Sequence, residues 1–367
     1  MTLKTGIVTF HSAYNFGASL QTWALQTALE RIGAEPFVVN YRPHVIDNLY
    51  DPMARTKGLS RYRFYRKLTR PQLILRHERY EKFMRDEYHL LGEYHTYEEL
   101  KNADMGLDAC IVGSDQVWNV QHTGGYDPAF FLEFLGDDVK KISYAASIGS
   151  DYILPVYHEQ YRRGLGQLDF ISVREASARP ALAQLTDKEI DVVLDPTLLL
   201  DKEEYEALKV KREHREKYIF VYMMEYNTEL VKFANYMSRL LGLPIVQKRE
   251  QPYFINELET CFTSIPGEFL DYIENAEFVL TNSFHGTVFS VIYEKPFISM
   301  LHSGTGSRTS DLLKTLNLTD HLMDSAQEGA AFERMAFDRK EETRSLLLKN
   351  REHSIAYLQR ALGVAPE

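Results

Sequence analysis

Ala276-Glu277-Phe278-Val279-Leu280-Thr281-Asn282-Ser283-Phe284-His285-Gly286-Thr287 is the stretch on which the reading of this chain turns. Phe278 to Leu280 is a short apolar run of strand type, closed by small polar residues. Val288, Phe289, Val291, Ile292 and Tyr293 then set an apolar band suited to a helix packed on a sheet. Lys295-Pro296 stops that helix, and Phe297 to Leu301 reads as the next strand. A helix start at such a turn aims N–H groups and a partial positive charge above the strand. Asn282, Ser283 and Thr287 are capping residue types, and Gly286 would let a ligand approach the backbone. His285 beside this anion seat reads either as an acid–base group acting on an anionic substrate or as a capping histidine that only finishes the helix start.

The N-terminus repeats the grammar. Ile7 to Phe10 reads as a strand, His11 to Gly17 as a loop, and Leu20, Trp23, Ala24, Ala28 and Ile32 as one face of a helix ended by Gly33. Pro36 to Tyr41 is the following strand. A βαβ opening with a glycine at the helix start marks a parallel sheet and a possible phosphate cradle. It lacks the GxGxxG spacing, so a nicotinamide cofactor is not supported. Asp108 to Asn119 reads as a strand followed by the small-residue turn of Gly113, Ser114 and Asp115, and Lys141 to Gly149 as another strand with a polar exit. Phe170 to Glu175 reads as a further strand ending in an arginine, and Asp191 to Thr197 as the close of the first half. The second half restarts at Tyr218 to Met223, with a helix from Leu230 to Leu241 ended by Gly242. The boundaries expected are 1–197 for a first domain, with an insertion at about 44–105, 198–335 for a second, and 336–367 for a terminal helix packing back on the first.

Composition bounds the function. Hydrophobic residues at 44% and charged residues at 26% are those of ordinary globular material. A net charge of −10 argues against general nucleic-acid binding. Two cysteines, Cys110 and Cys261, give neither metal spacing nor a disulfide framework, so no metal is expected. With no signal-peptide layout and no membrane-length apolar run, the cytoplasm is the expected location. From Arg55 to Arg85 there are eleven Lys or Arg against two Glu, interleaved with aromatic and aliphatic residues. This reads as one or two basic amphipathic helices. Their charged face is either simply solvated or a peripheral contact, through 55–85, for the inner face of a membrane or for a lipid-diphosphate-linked acceptor.

Asn15-x-Gly17, Ile111-Val112-Gly113-Ser114-Asp115, Ser172-Val173-Arg174-Glu175, Leu194-Asp195-Pro196 and Ser283-Phe284-His285-Gly286, in that order, resemble the polysaccharide pyruvyltransferase family. The resemblance runs over roughly residues 5 to 320, the basic insertion excepted. It implies an α/β fold of two Rossmann-like domains facing across a cleft, GT-B-like, with the helical basic insertion in the first domain. It implies transfer of a carboxyvinyl unit from phosphoenolpyruvate, a donor substrate rather than a cofactor, to two sugar hydroxyls on a lipid- or nucleotide-linked precursor. In family terms His285 matches the catalytic histidine and Arg174 an arginine that holds phosphoenolpyruvate. Bound trianion would favour charged imidazole over the opposing helix dipole, so His285 is expected to charge on substrate binding.

Two positions depart from the pattern. Ala18 stands where many members carry an acidic residue, which leaves Asp115 as the substitute base or as a helix cap. Ser283 stands where many carry arginine, which leaves Arg308 or Lys295 to clamp phosphate, or nothing. The remaining substrate-binding candidates are Asn15, Gly17, Gln21, Gly113, Ser114, Asn119, Asn282, Gly286 and Thr287, with His11 and Tyr14 as cleft candidates of undefined role. Asn15 also reads as a plain turn former, Arg174 as an interdomain salt-bridge residue, and Trp118 as core rather than sugar platform. The alternative functions are a glycosyltransferase using a nucleotide-sugar donor in the same fold, or a non-catalytic glycan-binding relative.

Overall fold

The computed structural model describes residues 2–52, 60–213, 216–248, 257–323 and 340–365, and not the side chains of 60–68, 258 and 260. The chain divides into two compact units, Met1–Leu199 with Arg351–Glu367, and Leu200–Asn350.

In the first unit the strands are β1 (Leu3–Val8), β2 (Ala34–Tyr41), β3 (Leu90–Tyr94), β4 (Ala109–Val112) and β5 (Lys140–Ser143), in the spatial order β3-β2-β1-β4-β5. All four pairings are parallel. β6 (Ile171–Val173) and β7 (Ile190–Val192) form a parallel pair joined to this sheet by the bridges Ile142–Phe170 and Ala146–Val173. β4, Ala-Cys-Ile-Val, is buried at every residue, as a central strand covered on both faces must be. The Phe16–Arg31 helix opens on Asn15, whose side chain accepts from Gly17 N and Ala18 N, and Gly33 turns the chain at φ +84°, a left-handed conformation that favours glycine.

The basic insertion is one helix, Ser60–Glu87, continuing through Pro71; residues 55–59 of the expected stretch lie outside the described residues. The segment is not purely helical. It also supplies β3, an edge strand whose half-exposed Leu-Leu-Gly-Glu-Tyr lacks the continuous apolar run that marks the central strands. Tyr14 is buried against the helix, its hydroxyl donating to Glu81 Oε1 at 2.6 Å and lying 2.6 Å from His77 Nδ1. The last helix, Lys340–Leu362, lays its C-terminal half on the first unit. There Ser354 Oγ accepts from Leu194 N at 2.9 Å, and Tyr357 donates to the Ser143 carbonyl at 2.8 Å.

The second unit is built from β8 (Ile219–Tyr222), β9 (Ile245–Gln247), β10 (Glu257–Thr260), β11 (Phe278–Thr281) and β12 (Phe297–Ser299), again parallel, in the order β10-β9-β8-β11-β12. Its core gathers Ile219, Val221, Phe233, Met237, Leu280 and Ile298. The Thr228–Leu241 helix ends on Gly242 at φ +64°. Both sheets thus share one winding: the first strand is central, the next two step outward, and the fourth returns to its other side. Ligands in such sheets sit beyond the carboxyl ends of the two strands flanking that reversal. Here those pairs are β1 and β4, and β8 and β11. Among the described residues no helix is long and apolar enough to cross a membrane.

Candidate active site

In the second unit the reversal places Asn282, Ser283 and His285 at its mouth. β11 ends at Thr281, Ser283 caps the Phe284–Ile292 helix by accepting from Gly286 N at 3.3 Å, and His285 falls in the first turn. Thr287 donates to the Ser283 carbonyl and meets Ser299 Oγ at 2.7 Å, so it ties the helix to β12. At Gly286 an added Cβ would come within 2.2 Å of Thr281 Oγ1; the room there is taken by the strand end, which lets the helix start sit tight on the sheet. His285 is 6% exposed, and its ring stands edge-to-face with Phe284, centroids 5.1 Å apart. Arg308, in the first turn of the Ser307–Thr315 helix, holds its guanidinium 5.7 Å above the Phe284 ring and donates to Thr305 Oγ1 at 2.8 Å. Imidazole, guanidinium and helix start therefore flank one phenyl ring, a set of donors suited to an anion. Lys295 lies past the other end of the helix and donates to the Glu274 carbonyl at 2.8 Å.

Asn282 is 3% exposed and spends its amide on the neighbouring strand exit, accepting from Met224 N at 2.7 Å and donating to the Glu225 carbonyl at 2.8 Å. Glu225 in turn accepts from Ser303 N and from Ser303 Oγ at 2.8 Å, with His302 Nε2 3.6 Å away. Burial works to raise the Glu225 pKa, but the Ser303 bonds and His302 win and hold it below the usual carboxylate range. Sequence reasoning passed over Glu225, His302 and Ser303. Their signal was positional, a charged or polar residue just past the carboxyl end of a strand, and it became informative only once β8 and β12 were known to flank β11.

The first unit's reversal is dominated by a buried ion network. Arg174, leaving β6, donates through Nε to Glu175 Oε1 at 3.0 Å and through Nη1 to Asp195 Oδ2 at 2.8 Å. The three side chains are 3%, 3% and 0% exposed. Burial works against the charged guanidinium, yet Glu175, Asp195 and Asp115 together raise its pKa well above the ordinary arginine value. Asp195 also accepts from Ser114 Oγ at 3.0 Å, Thr197 N at 3.1 Å and Thr197 Oγ1 at 2.6 Å. The salt bridge thus lies inside one unit. A carboxylate within the apolar run Val192–Leu200 was the sequence signal of such a buried, paired acid.

Gln21 is wholly buried: Nε2 donates to Thr9 Oγ1 at 2.9 Å, and Oε1 accepts from Ser114 N at 3.2 Å. It fastens the β1 exit to the β4 exit. Gly113 sits at φ +116°, where a Cβ would meet the Tyr144 carbonyl oxygen at 2.2 Å. Asp115, at φ +70°, is half-buried and accepts from Gln116 N at 2.8 Å. Asn119 caps the short Val120–Thr123 turn and donates to Gln116 Oε1 at 2.7 Å. Gly17 and Ala18 are buried in the first helical turn. His11 is buried against Asn40 Oδ1 at 2.9 Å, and Trp118 is core, stacked on Phe131 at 5.2 Å.

Two parallel units of one winding, each with polar residues collected at its reversal, define a GT-B-like α/β protein. The fold is shared with UDP-GlcNAc 2-epimerase from Neisseria meningitidis bound to UDP-GlcNAc, at 10% identity over 98% of this chain and 100% of that one, TM-score 0.52. It is shared too with MnaA of S. aureus in its UDP co-structure, at 12% identity over 100% and 98%, TM-score 0.50. No curated protein gives a significant sequence match. The profile of the family described as polysaccharide pyruvyl transferase matches residues 15–304, most of the chain. The chain belongs to the polysaccharide pyruvyl transferase family.

Proposed function

We propose that this protein transfers the carboxyvinyl unit of phosphoenolpyruvate to a pair of sugar hydroxyls, leaving a pyruvate ketal on a lipid- or nucleotide-linked polysaccharide precursor in the cytoplasm. The observation that carries the reading is the family match over 15–304 with His285, inside it, at the start of a helix on the second unit's reversal. Imidazole is the side chain most readily held as an acid near neutral pH. His285 would deliver a proton to the methylene carbon, turning it into the methyl group. The cationic centre left at the adjoining carbon takes one acceptor oxygen, then a second as the bond to phosphate breaks. One hydroxyl proton leaves with the phosphate as hydrogenphosphate, and the other restores His285. Arg308 over Phe284 and the helix start supply positive charge for the donor's phosphate and carboxylate. General acid catalysis of this kind is worth about 10²–10⁴ in rate.

Of the remaining candidates, Asp115 is the proposed base for the acceptor hydroxyl and Arg174 a donor-holding residue; Asn15, Gly17, Gln21, Gly113, Ser114 and Asn119 are the proposed substrate-binding residues of the first unit, and Asn282, Ser283, Gly286 and Thr287 those of the second. The test is phosphate release from phosphoenolpyruvate across a panel of sugar acceptors, with ketal formation read by NMR. Release that depends on a sugar and is lost in His285→Asn supports the reading. Stabilisation by nucleoside diphosphates with no response to phosphoenolpyruvate overturns it in favour of glycosyl transfer.

A further inference from the structure

The second unit holds an acid–base pair, Glu225 and His302, to which the proposed reaction assigns no step. Gly304 N donates to His302 Nδ1 at 3.2 Å, so in the neutral ring the proton sits on Nε2, the nitrogen facing Glu225 Oε2 at 3.6 Å. Neither nitrogen of that ring is then placed to take a proton from a sugar. Both Glu225 oxygens are bound up with Ser303 and His302. Bonds of this kind weaken a base and strengthen an anchor.

From this anchor a continuous set of contacts leads back to His285. Glu225 holds Ser303 and faces His302. The same short loop carries Thr305, whose carbonyl and hydroxyl accept from Arg308 Nε at 3.2 Å and Nη2 at 2.8 Å. Arg308 lies over Phe284, and Phe284 abuts His285. Asn282, one residue before the helix cap, closes the circuit by pinning the backbone of Met224 and Glu225.

We propose that Glu225 is a positioning residue: by fastening the 302–305 loop it sets the Arg308 guanidinium over Phe284, the ring that packs against His285, and so shapes the seat of a phosphate- and carboxylate-bearing anion. The inference deepens the proposed function and rests on it for the identity of the anion alone. Glu225 touches no reacting atom in this scheme, and its influence passes entirely through the loop.

The experiment pairs Glu225→Ala with Arg308→Ala and the double variant, with phosphoenolpyruvate as the ligand. Each single change is expected to raise the dissociation constant and KM for phosphoenolpyruvate about tenfold, the size of one lost charge-assisted contact, with kcat falling less. The double variant is expected to be no worse than Arg308→Ala alone, because Glu225 acts only through that arginine. Multiplying effects in the double variant overturn the proposal. Amide exchange supplies a readout that needs no ligand: in Glu225→Ala, protection at 303–308 falls while the Phe284–Ile292 helix stays protected. Unchanged loop protection overturns the proposal even if pyruvyl transfer is proved. Wild-type protein that binds no phosphoenolpyruvate sinks the functional reading instead, and the exchange result still decides the role of Glu225. Should Glu225→Ala fail to fold, Ser303→Ala removes only the hydroxyl bond and is expected to give the same pattern at smaller size.

Discussion

Replacing Asp195 by alanine tests the buried network of the first unit most directly. The change removes an acceptor used by Arg174 Nη1, Ser114 Oγ, Thr197 N and Thr197 Oγ1, all within 3.1 Å. None of these donors can turn to solvent, since Asp195, Ser114 and Thr197 are at most 1% exposed and the Arg174 side chain is 3% exposed. Removing one partner of a buried ion pair costs about 3–5 kcal/mol, chiefly because the other charge is left without its counter-charge. For a body of about 200 residues each kcal/mol lowers the melting temperature by about 2–4 °C, so Asp195→Ala is expected to lower it by about 6–20 °C. Differential scanning calorimetry of the ligand-free protein reads this, with hydrogen exchange locating the loss in β1, β4 and β6 rather than β8 and β11. Asp195→Asn keeps the shape and part of the hydrogen bonding, and is expected to lose less. Replacing Arg174, Glu175 and Asp195 together by apolar residues of similar volume is expected to recover most of the loss, because no buried charge then remains. A shift under about 2 °C for Asp195→Ala would refute the reasoning, since no buried ion pair loses a partner that cheaply. Arg174→Ala adds a functional contrast: an arginine serving ligand alone leaves the ligand-free melting temperature where it was.

His285→Asn is expected to keep the fold and lose about 10²–10⁴ in phosphoenolpyruvate turnover, measured as phosphate release at saturating acceptor. Gly286→Ala is expected to impair turnover without touching the imidazole, because its new Cβ must displace Thr281 Oγ1 from 2.2 Å; full activity with unchanged melting refutes the tight helix start. His11 has its pKa lowered by burial, against the raising effect of Asn40 and Thr9. A lowered folded pKa means the unfolded chain binds the proton first, so stability is full above about pH 6.5 and is lost as pH falls from there through the folded pKa. Melting curves between about pH 5 and 8 should show this slope, and His11→Gln should flatten it; an identical slope in the variant excludes His11 as its source.

The strands and helices at the heart of both sheets could be read from the chain because their signals are local. β4, β8 and β11 are continuous apolar runs with small polar exits, and the helices after β1 and β8 end on Gly33 and Gly242, each at positive φ. His285 and its capping neighbours were legible for the same reason, since strand, turn, helix start and imidazole lie within a dozen consecutive residues. β3 was not, because an edge strand needs no apolar run, and its partner β2 is about fifty residues earlier. Nor could the sequence tell that Gln21 fastens Ser114, or that Arg174 is matched by Asp195 twenty-one residues on. The chain alone determined the alternation of parallel strand and helix at the heart of each unit and the placing of an imidazole at a helix start. Only the tertiary structure decided what each polar side chain bonds to, because a buried charge takes its partner from whatever strand the fold lays beside it, at any distance along the chain.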